Sequence, residues 1–248
     1  MTRSSRVVVW AWVLAALTGC ADHKIQPGIC ISMDDYTVNE WYALRPMLDE
    51  YDAHVTFYLS HVDSLNEDEW QKLKTLEGDG HEIGYHGAMH VNAEYYIKER
   101  SYRSWLDEEI DKGADVMRAR GFSPVSFSYP YGATYWFTDW LLLKRFRHLR
   151  GVAAQPPGSR LATLNAAFTR YSQSASAASF DDGALDSLQI VEAVERTRQE
   201  GSVMMLYGHV PADQPKGKYT FLRSDFERLL RIAHREGLKF YLAKELAP

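Results

Sequence analysis

The chain has 248 residues, a hydrophobic content of 46% and a formal net charge of -5. This hydrophobic content is ample for a sizeable core and argues against global disorder. The net charge, together with the lack of a dense run of lysine and arginine, gives no sign of a nucleic-acid partner.

The N-terminus has the pattern of a secretory signal. Arg3 and Arg6 precede the apolar stretch VVVWAWVLAAL, which is short for a membrane-spanning helix. The next residues, Leu17–Cys20, resemble a bacterial lipobox. That resemblance implies cleavage before Cys20, lipidation of Cys20 and attachment to a membrane. An ordinary signal peptide with an incidental cysteine is the alternative.

The residue after the lipobox indicates which membrane of the envelope would hold the anchored chain. Ala21 stands where an aspartate would retain a lipoprotein in the inner membrane, so we expect the cell envelope, facing the periplasm, with the outer membrane favoured. With Cys20 lipidated, Cys30 has no disulfide partner and is expected to be a small buried side chain. The expected organisation is a signal peptide over 1–19, a lipidated tether over 20–26 and a catalytic domain over 27–248.

From residue 28 onward, apolar runs alternate with amphipathic helical patterns, which is typical of an α/β fold with a parallel sheet. Strands are predicted over residues 28–33, 54–60, 81–85, 125–129, 151–155, 202–208 and 238–243. Helices are predicted over residues 38–51, 66–80, 98–120, 134–146, 187–200 and 224–236. Asn66 and Glu69 form a capping box at the start of the second helix. Residues 155–179 are the least regular, and we expect a loop there that crosses one face of a single domain.

Polar side chains follow several of these strands where the strands end. Asp34 and Asp35 follow the first strand, His86 follows the third, Pro130–Gly132 follow the fourth, and His209 follows another. Functional groups of parallel α/β folds gather at the carboxyl ends of strands. The adjacent aspartates repel each other, so burying both is costly unless a cation or a shared proton relieves the repulsion. A solvated turn is the alternative for this pair.

The sequence HGAMH places His86 and His90 four residues apart. One helical turn would put both imidazoles on one face, where they can share a metal ion. Two imidazoles and one carboxylate make a three-ligand site with open positions, the pattern of a catalytic zinc. One aspartate of the pair would then bind the metal ion, and the other would act as a base beside it.

The motifs SMDDY, HEIGYHGAMH, FSYPYG and LYGHV, in this order, resemble those of the polysaccharide deacetylase family, also called the NodB-homology domain. The resemblance covers residues 27–248. It implies a distorted (β/α) barrel in a single domain and a metal-dependent removal of acetyl groups from sugars. Carried over to this sequence, it implies catalytic roles for Asp34 as general base, His209 as general acid and Tyr131 as a backbone oxyanion donor, and metal binding by Asp35, His86 and His90. Zinc is the expected metal, with cobalt, nickel and iron as alternatives.

Three residues depart from the family's motifs. Tyr36 stands where the family has glycine, and we expect it to narrow the groove or stack on a sugar. Tyr207 stands where a leucine lines the acetate pocket, so that pocket is expected to be smaller or more polar. Ser128 stands where an arginine orients the base, and Arg170 in the loop is a candidate replacement. Trp136 is a candidate sugar platform.

Other polar residues receive structural interpretations. We expect Asp181 and Asp182 to cap a helix or form a turn, and His81 to be a hydrogen-bonded structural residue or a support for the site. No partner is evident in the sequence for His54, His61, His148 and His234.

The sequence therefore predicts a metal-dependent hydrolase that removes acetyl groups from N-acetylated sugars of an envelope or matrix polysaccharide. A glycan-binding lipoprotein without turnover and an O-acetyl esterase or other amide hydrolase are the alternatives. Peptidoglycan, poly-N-acetylglucosamine and chitin-like oligomers are all open as substrates.

Overall fold

The computed structural model describes residues 25–183, 186–214 and 217–247. Strands and helices alternate over most of this length. The strands are β1 (Gly28–Asp35), β2 (Val55–Leu59), β3 (Glu82–Tyr85), β4 (Ser126–Ser128), β5 (His148–Val152), β6 (Phe168–Thr169), β7 (Ser174–Ser179), β8 (Val203–Gly208), β9 (Val210–Ala212), β10 (Thr220–Leu222) and β11 (Lys239–Phe240). The α-helices are α1 (Val38–Tyr42), α2 (Arg45–Glu50), α3 (Glu67–Gly78), α4 (Ala93–Glu99), α5 (Tyr102–Trp105), α6 (Lys112–Ala119), α7 (Trp136–Leu142), α8 (Ser187–Glu200) and α9 (Arg223–Arg235).

Seven parallel strands form a closed barrel in the order β1-β2-β3-β4-β5-β7-β8, because β8 pairs back with β1. Ile31 of β1 lies opposite Val55 of β2 on one side and Leu206 of β8 on the other. The expected single-domain (β/α) barrel is therefore confirmed.

The barrel is distorted at several strands. β11 pairs with the first two residues of β1, while β2 pairs with residues 31–35. β4 has three residues and joins β3 through one pair, Tyr85 with Phe127. β6 runs antiparallel along the start of β8. These irregularities leave an unevenly staggered ring whose strands still end at one rim.

The side chains of β1 alternate between an outer apolar core and the barrel interior. Ile29, Ile31 and Met33 belong to the large cluster that the surrounding helices cover, and Cys30 belongs to a smaller cluster with Tyr58. Since successive side chains of a strand point to opposite faces, Cys30, Ser32 and Asp34 share the interior face. Cys30 is 1% exposed, which confirms the expected buried side chain, and burial raises the pKa of its thiol.

A buried carboxyl group organises the amino end of the barrel. Glu82 accepts hydrogen bonds from Thr56 Oγ1 at 3.1 Å, Ser126 Oγ at 2.7 Å and the Lys244 backbone N–H at 2.9 Å. Burial raises the pKa of Glu82 although these donors oppose the effect. The 3-10 helix Ala243–Glu245 thereby covers the end of the barrel opposite the strand carboxyl ends.

Several predicted elements differ from the observed ones. Residues 38–51 form two short helices, because Pro46 in the first turn of α2 lacks the N–H that a continuous helix needs. Residues 98–120 contain the end of α4, followed by α5, a π-helical segment (Leu106–Asp111) and α6. The final predicted strand shortens to β11. The α8 boundaries match the prediction, and the Asn66–Glu69 capping box is present.

The largest difference is β7, a barrel strand within the predicted loop 155–179. Its sequence, SASAAS, has small side chains with little strand propensity. Its place in the barrel comes from pairing with β5 and β8 on both sides. Neighbouring strands, rather than its own residues, make this segment extended.

The signal peptide, the lipidation of Cys20 and most of the tether concern residues 1–24, which lie outside the described residues. Among the described helices, none combines the length and the apolar character that crossing a membrane requires.

Candidate metal centre and active site

The carboxyl ends of the barrel strands bring the predicted site residues to one rim. Asp35 ends β1 with a φ of 86°, His90 follows β3 with a φ of 55°, and Tyr131 follows β4 with a φ of 60°. All three are in the left-handed region, which is unfavourable for non-glycine residues. Such strain often collects at functional sites, where the surrounding structure holds it in place.

Asp35, His86 and His90 form a three-residue cluster whose possible ligand atoms lie within 4.8 Å of one another. Asp35 Oδ1 is 3.4 Å from His90 Nε2 and 3.9 Å from His86 Nε2. Two ligands of a tetrahedral zinc, each about 2.0–2.2 Å from the ion, are separated by roughly 3.3 Å. The donor set and its spacing fit a divalent metal ion with only small movements.

The two histidines meet in a turn rather than on a helix. The segment between them has no helical turn, and Gly87 has a φ of 86°. The rings lie 4.8 Å apart between centroids. The expected shared helical face is therefore wrong, although the two imidazoles are neighbours as it required.

Hydrogen bonding and burial prepare the imidazoles as neutral ligands. The carbonyl of Ser128 lies 2.8 Å from His86 Nδ1, so Nδ1–H donates to it and the Nε2 lone pair faces the cluster. Burial lowers the pKa of His86 to about 3 and also lowers that of His90. Burial and the charge of Asp34 raise the pKa of Asp35, and a bound cation would offset both effects.

A buried glutamate fixes the turn that carries His90. The Glu109 carboxylate accepts hydrogen bonds from the backbone N–H groups of Met89 at 2.7 Å and Val91 at 3.0 Å, on either side of His90. Glu109 lies in the π-helical segment and is fully buried, and burial raises its pKa to about 7. None of the sequence motifs contains this residue.

Asp34 has a different environment from its neighbour. It is 2% exposed, and its Oδ2 accepts a hydrogen bond from Arg150 Nη2, which also donates to Ser128 Oγ. Burial alone would raise the pKa of Asp34, but the Arg150 guanidinium, together with His86 and His209, holds the pKa below the usual value. Asp34 Oδ1 is buried without a protein hydrogen-bond partner and is free to accept a proton from a bound reactant.

The expectation that Arg170 replaces the missing arginine is wrong. Arg170 follows β6, whose Thr169 pairs with Val203 at the start of β8, and it donates to the Glu200 carbonyl at 3.1 Å. Arg170 therefore lies at the amino end of the barrel, away from Asp34. Arg150 pairs in register with Ser128 across β4 and β5, so it reaches Asp34 from the adjacent strand. The available signal was an arginine at the centre of the short segment HLRGV.

His209 forms a second charged pair at the rim. Its Nδ1 lies 2.6 Å from Asp181 Oδ2, and its backbone N–H donates to Asp181 Oδ1 at 3.1 Å. Burial opposes the charged imidazole, but the hydrogen bond to Asp181 and nearby carboxylates raise the pKa of His209. The expectation that Asp181 only caps a helix or forms a turn is wrong, because its carboxylate pairs with His209. The N-cap of α8 is Asp186.

The remaining predicted residues differ in how close they lie to the cluster. The Tyr131 ring lies 4.8 Å from the His90 ring, and the Tyr36 ring lies 4.8 Å from that of His61. Tyr207 lies beneath Arg150, whose guanidinium carbon is 4.6 Å from the ring centroid. Trp136 is 71% exposed at the start of α7, and no described contact links it to the cluster. Sugar contacts by these residues stay predictions.

His61 and His81 lie at opposite ends of the barrel. The His61 ring is 6.1 Å from the His90 ring, so this residue does belong to the surroundings of the site. His81 lies at the start of β3, where its Nδ1 accepts a hydrogen bond from the Val55 N–H at 3.3 Å. His81 therefore has a structural role at the other end of the barrel.

Residues 22–143 match the family model described as Polysaccharide deacetylase. This segment contains Asp34, Asp35, His86, His90 and Tyr131 and ends before Asp181 and His209. No curated protein matches the sequence.

Several solved structures share the fold. The catalytic domain of a peptidoglycan N-acetylglucosamine deacetylase from Eubacterium rectale ATCC 33656 is 14% identical, with a TM-score of 0.58 over 90% of this chain and 91% of that one. A polysaccharide deacetylase, described as putative, from Mycobacterium smegmatis is 13% identical, with a TM-score of 0.54 over 88% and 87%. A mutant CE4 family pseudoenzyme with restored enzymatic activity is 14% identical, with a TM-score of 0.54 over 90% of this chain and 68% of that one. At these identities the likeness establishes the fold alone.

The Asp34–Arg150 pair generates a stability prediction. Arg150→Ser leaves a buried carboxylate without its partner, and we expect the free energy of unfolding to fall by about 3–5 kcal/mol. Arg170→Ser, at the opposite end of the barrel, is expected to change it by less than about 0.5 kcal/mol. Urea unfolding of both variants provides the measurement.

A variant in which the residues at positions 128 and 150 are exchanged serves as the control. Ser128→Arg combined with Arg150→Ser returns a guanidinium to the neighbouring strand, and we expect it to recover much of the lost stability. A larger loss in Arg170→Ser than in Arg150→Ser would show that the Asp34 environment has been misassigned.

Proposed function

Because the chain belongs to the polysaccharide deacetylase family, we propose that it is a metal-dependent hydrolase that removes acetyl groups from N-acetylated sugars of a cell-envelope or matrix polysaccharide. The observation that carries this proposal is the arrangement of three groups at one rim. The Asp35–His86–His90 cluster lies beside the Asp34–Arg150 pair and the Asp181–His209 pair. A ligand set, a base and an acid are what hydrolysis of an amide requires.

Asp35, His86 and His90 are the residues that would hold a divalent cation, with zinc favoured by two nitrogen ligands and one oxygen ligand. When bound, the cation supplies Lewis-acid chemistry towards the acetyl carbonyl and the attacking water. The neutral state of both imidazoles supports this assignment, because only the neutral ring offers a lone pair to a cation.

Asp34 is the proposed general base. Its lowered pKa keeps it ionised at neutral pH, and its unpaired Oδ1 accepts the proton that water loses as its oxygen bonds to the acetyl carbon. Arg150 holds the other oxygen, so the carboxylate keeps one orientation. The Tyr131 backbone N–H is the proposed donor to the oxyanion, a contact typically worth about 3–4 kcal/mol.

His209 is the proposed general acid. Its raised pKa extends protonation of the ring to higher pH, and Asp181 holds Nδ1 so that Nε2–H is the free donor. As the bond between the acetyl carbon and nitrogen breaks, Nε2 gives its proton to the departing nitrogen. The products are acetate and the free amine of the sugar.

We also propose that the chain is a lipoprotein anchored in the cell envelope through Cys20. Residues 25–27 lead into the amino end of β1, whereas Asp34 and Asp35 lie at its carboxyl end. Eight residues of strand span roughly 25 Å. A membrane anchor before residue 25 would therefore leave the active-site rim facing away from the membrane, towards a polymer in the envelope.

The first prediction separates metal binding from turnover. His86→Ala is expected to lose both the metal ion and acetate release, because it removes a ligand. Asp34→Asn is expected to keep the metal ion and to lose about a hundredfold or more in turnover, because it removes the base and leaves the three ligands in place. Metal analysis and acetate release from N-acetylglucosamine oligomers, measured on protein starting at Ala21, give both readouts.

Two outcomes would contradict the proposal. A wild-type protein without bound metal would rule out the ligand cluster. Bound metal without acetate release from several glycans would instead favour a glycan-binding lipoprotein without turnover.

The second prediction concerns pH. His209 acts in its protonated form, so turnover falls as the pH rises through its pKa. Because Asp181 raises that pKa, Asp181→Asn lowers it and is expected to move the alkaline limb of the kcat profile to lower pH. The control is Asp182→Asn, which alters the neighbouring exposed aspartate. Equal alkaline limbs in the Asp181→Asn and wild-type proteins would remove His209 from the acid role.

The third prediction concerns the anchor. Expressed in bacteria with labelled palmitate, the full chain is expected to carry the label and to sediment with membranes. Cys20→Ser is expected to lose the label, whereas Cys30→Ser retains it. Labelling that survives Cys20→Ser would place the lipid elsewhere.

A further inference from the structure

The two histidines of the ligand cluster are held in place in different ways. His86 directly follows β3, and its ring donates a hydrogen bond to the Ser128 carbonyl at 2.8 Å. Among the described residues, the His90 ring faces the Asp35 carboxylate at 3.4 Å, but no hydrogen bond from outside the cluster fixes it. The position of His90 is therefore set by the backbone of the ligand turn, residues 87–91.

Glu109 holds this turn with both its side chain and its main chain. Its carboxylate accepts hydrogen bonds from the N–H groups of Met89 and Val91, and its carbonyl accepts from the Ala88 N–H at 2.9 Å. The Tyr85 hydroxyl, at the end of β3, donates to the same carbonyl at 2.5 Å. One fully buried residue thus binds the chain from the end of β3 to the far side of the ligand turn.

The shape of the turn matches the Glu109 side chain. Gly87 has a φ of 86°, and a Cβ built at this position would overlap with the Glu109 carboxylate. The carboxylate therefore lies directly against the backbone of the turn, in space that any other residue at position 87 would occupy. Gly87 and Glu109 form a matched pair.

The turn carries backbone strain that some other group has to hold. Gly87 and His90 both lie in the left-handed region, within four positions of each other. Such strain persists only where surrounding contacts determine the conformation. Glu109 supplies these contacts from a π-helical segment, a rare element that is often found at functional sites.

The neighbouring glutamate has no such role. Glu108 is half-buried, accepts a hydrogen bond from the Tyr96 hydroxyl and lies 3.6 Å from the Arg100 guanidinium. Among the described residues, no cation pairs with Glu109, and its carboxylate bonds to backbone N–H groups instead. Burying a carboxylate without a cation is costly, so the contact of Glu109 with the ligand turn is specific and not a general feature of this segment.

We propose that Glu109 is a positioning residue that holds His90 in its ligand geometry before a metal ion binds, and thereby sets the metal affinity of the cluster. The inference rests on the proposed function for the presence of the metal ion. Glu109 acts through the ligand turn, since its hydrogen bonds go to the backbone on either side of His90.

The first test measures zinc affinity by competition with a chromophoric chelator. Glu109→Gln keeps the size of the side chain, but its amide has one acceptor oxygen, so one of the two N–H groups loses its partner. We expect the dissociation constant for zinc to rise by about 10- to 100-fold, the usual effect of removing a group that orients a metal ligand. Glu108→Gln is the matched control and is expected to bind zinc as the wild type does.

A second pair of variants tests the same contact without changing Glu109. Gly87→Ala and Gly121→Ala place a Cβ at similar backbone angles, with φ of 86° and 81°. At position 121 the new Cβ meets only the end of the Lys74 side chain at 3.5 Å, whereas at position 87 it displaces the Glu109 carboxylate. We expect Gly87→Ala to weaken zinc binding by about tenfold or more and Gly121→Ala to leave it unchanged.

The double variant shows whether the two positions act through one contact. Gly87→Ala combined with Glu109→Gln is expected to bind zinc about as weakly as the weaker-binding single variant, because the contact is lost only once. Fully additive effects would overturn the pairing through which Glu109 acts.

Hydrogen exchange on metal-free protein provides a readout that does not depend on zinc or on turnover. In Glu109→Gln we expect faster exchange at the amides of residues 88–91 and wild-type exchange in the other barrel strands. Faster exchange throughout the chain would mean a loss of overall stability and would overturn the positioning role.

The inference and the proposed function fail separately. If zinc affinity depends on Glu109 but no glycan releases acetate, the positioning role stands and the proposed function fails. If wild type and Glu109→Gln bind zinc equally, the positioning role is overturned even when acetate is released.

Discussion

Closure of the barrel by pairing of β8 with β1 is the constraint on which the site depends. β1 lies between β2 and β8 and ends in Asp34 and Asp35, while the chain continues from the end of β8 into His209. Parallel strands end at the same rim, so closing the ring brings the first and the last groups of the site to one opening. An open sheet would have left His209 at the edge far from the aspartates.

The adjacent aspartates illustrate how one structure gives opposite properties to two identical side chains. Asp34 points into the barrel, where the Arg150 guanidinium holds its pKa down. Asp35 lies beside two imidazoles kept neutral by burial, and its pKa is raised. The repulsion between the two carboxylates is thus relieved on one side by a fixed cation, and on the other side by a set of groups suited to a metal ion.

Arg150 contacts Asp34 from β5, whereas the motif resemblance placed an arginine at position 128 on β4. Ser128 and Arg150 are partners on adjacent strands, so a guanidinium attached at either position can reach the same carboxylate. The barrel specifies a location in space, and more than one strand can supply the side chain. A departure from a family motif therefore has to be judged from the register of the sheet and not from the motif alone.

The sequence by itself determined the alternation of strands and helices, the cap at Asn66, the buried Cys30 and the placement of polar groups after strands, because these depend on local periodicity and on neighbouring residues. Only the tertiary structure decided that β7 is a barrel strand, that Arg150 and not Arg170 contacts Asp34, and that Asp181 pairs with His209. Each of these contacts joins residues distant in the chain, such as Asp34 and Arg150, 116 positions apart. Their physical cause is strand pairing and ring closure, which no local pattern in the sequence encodes.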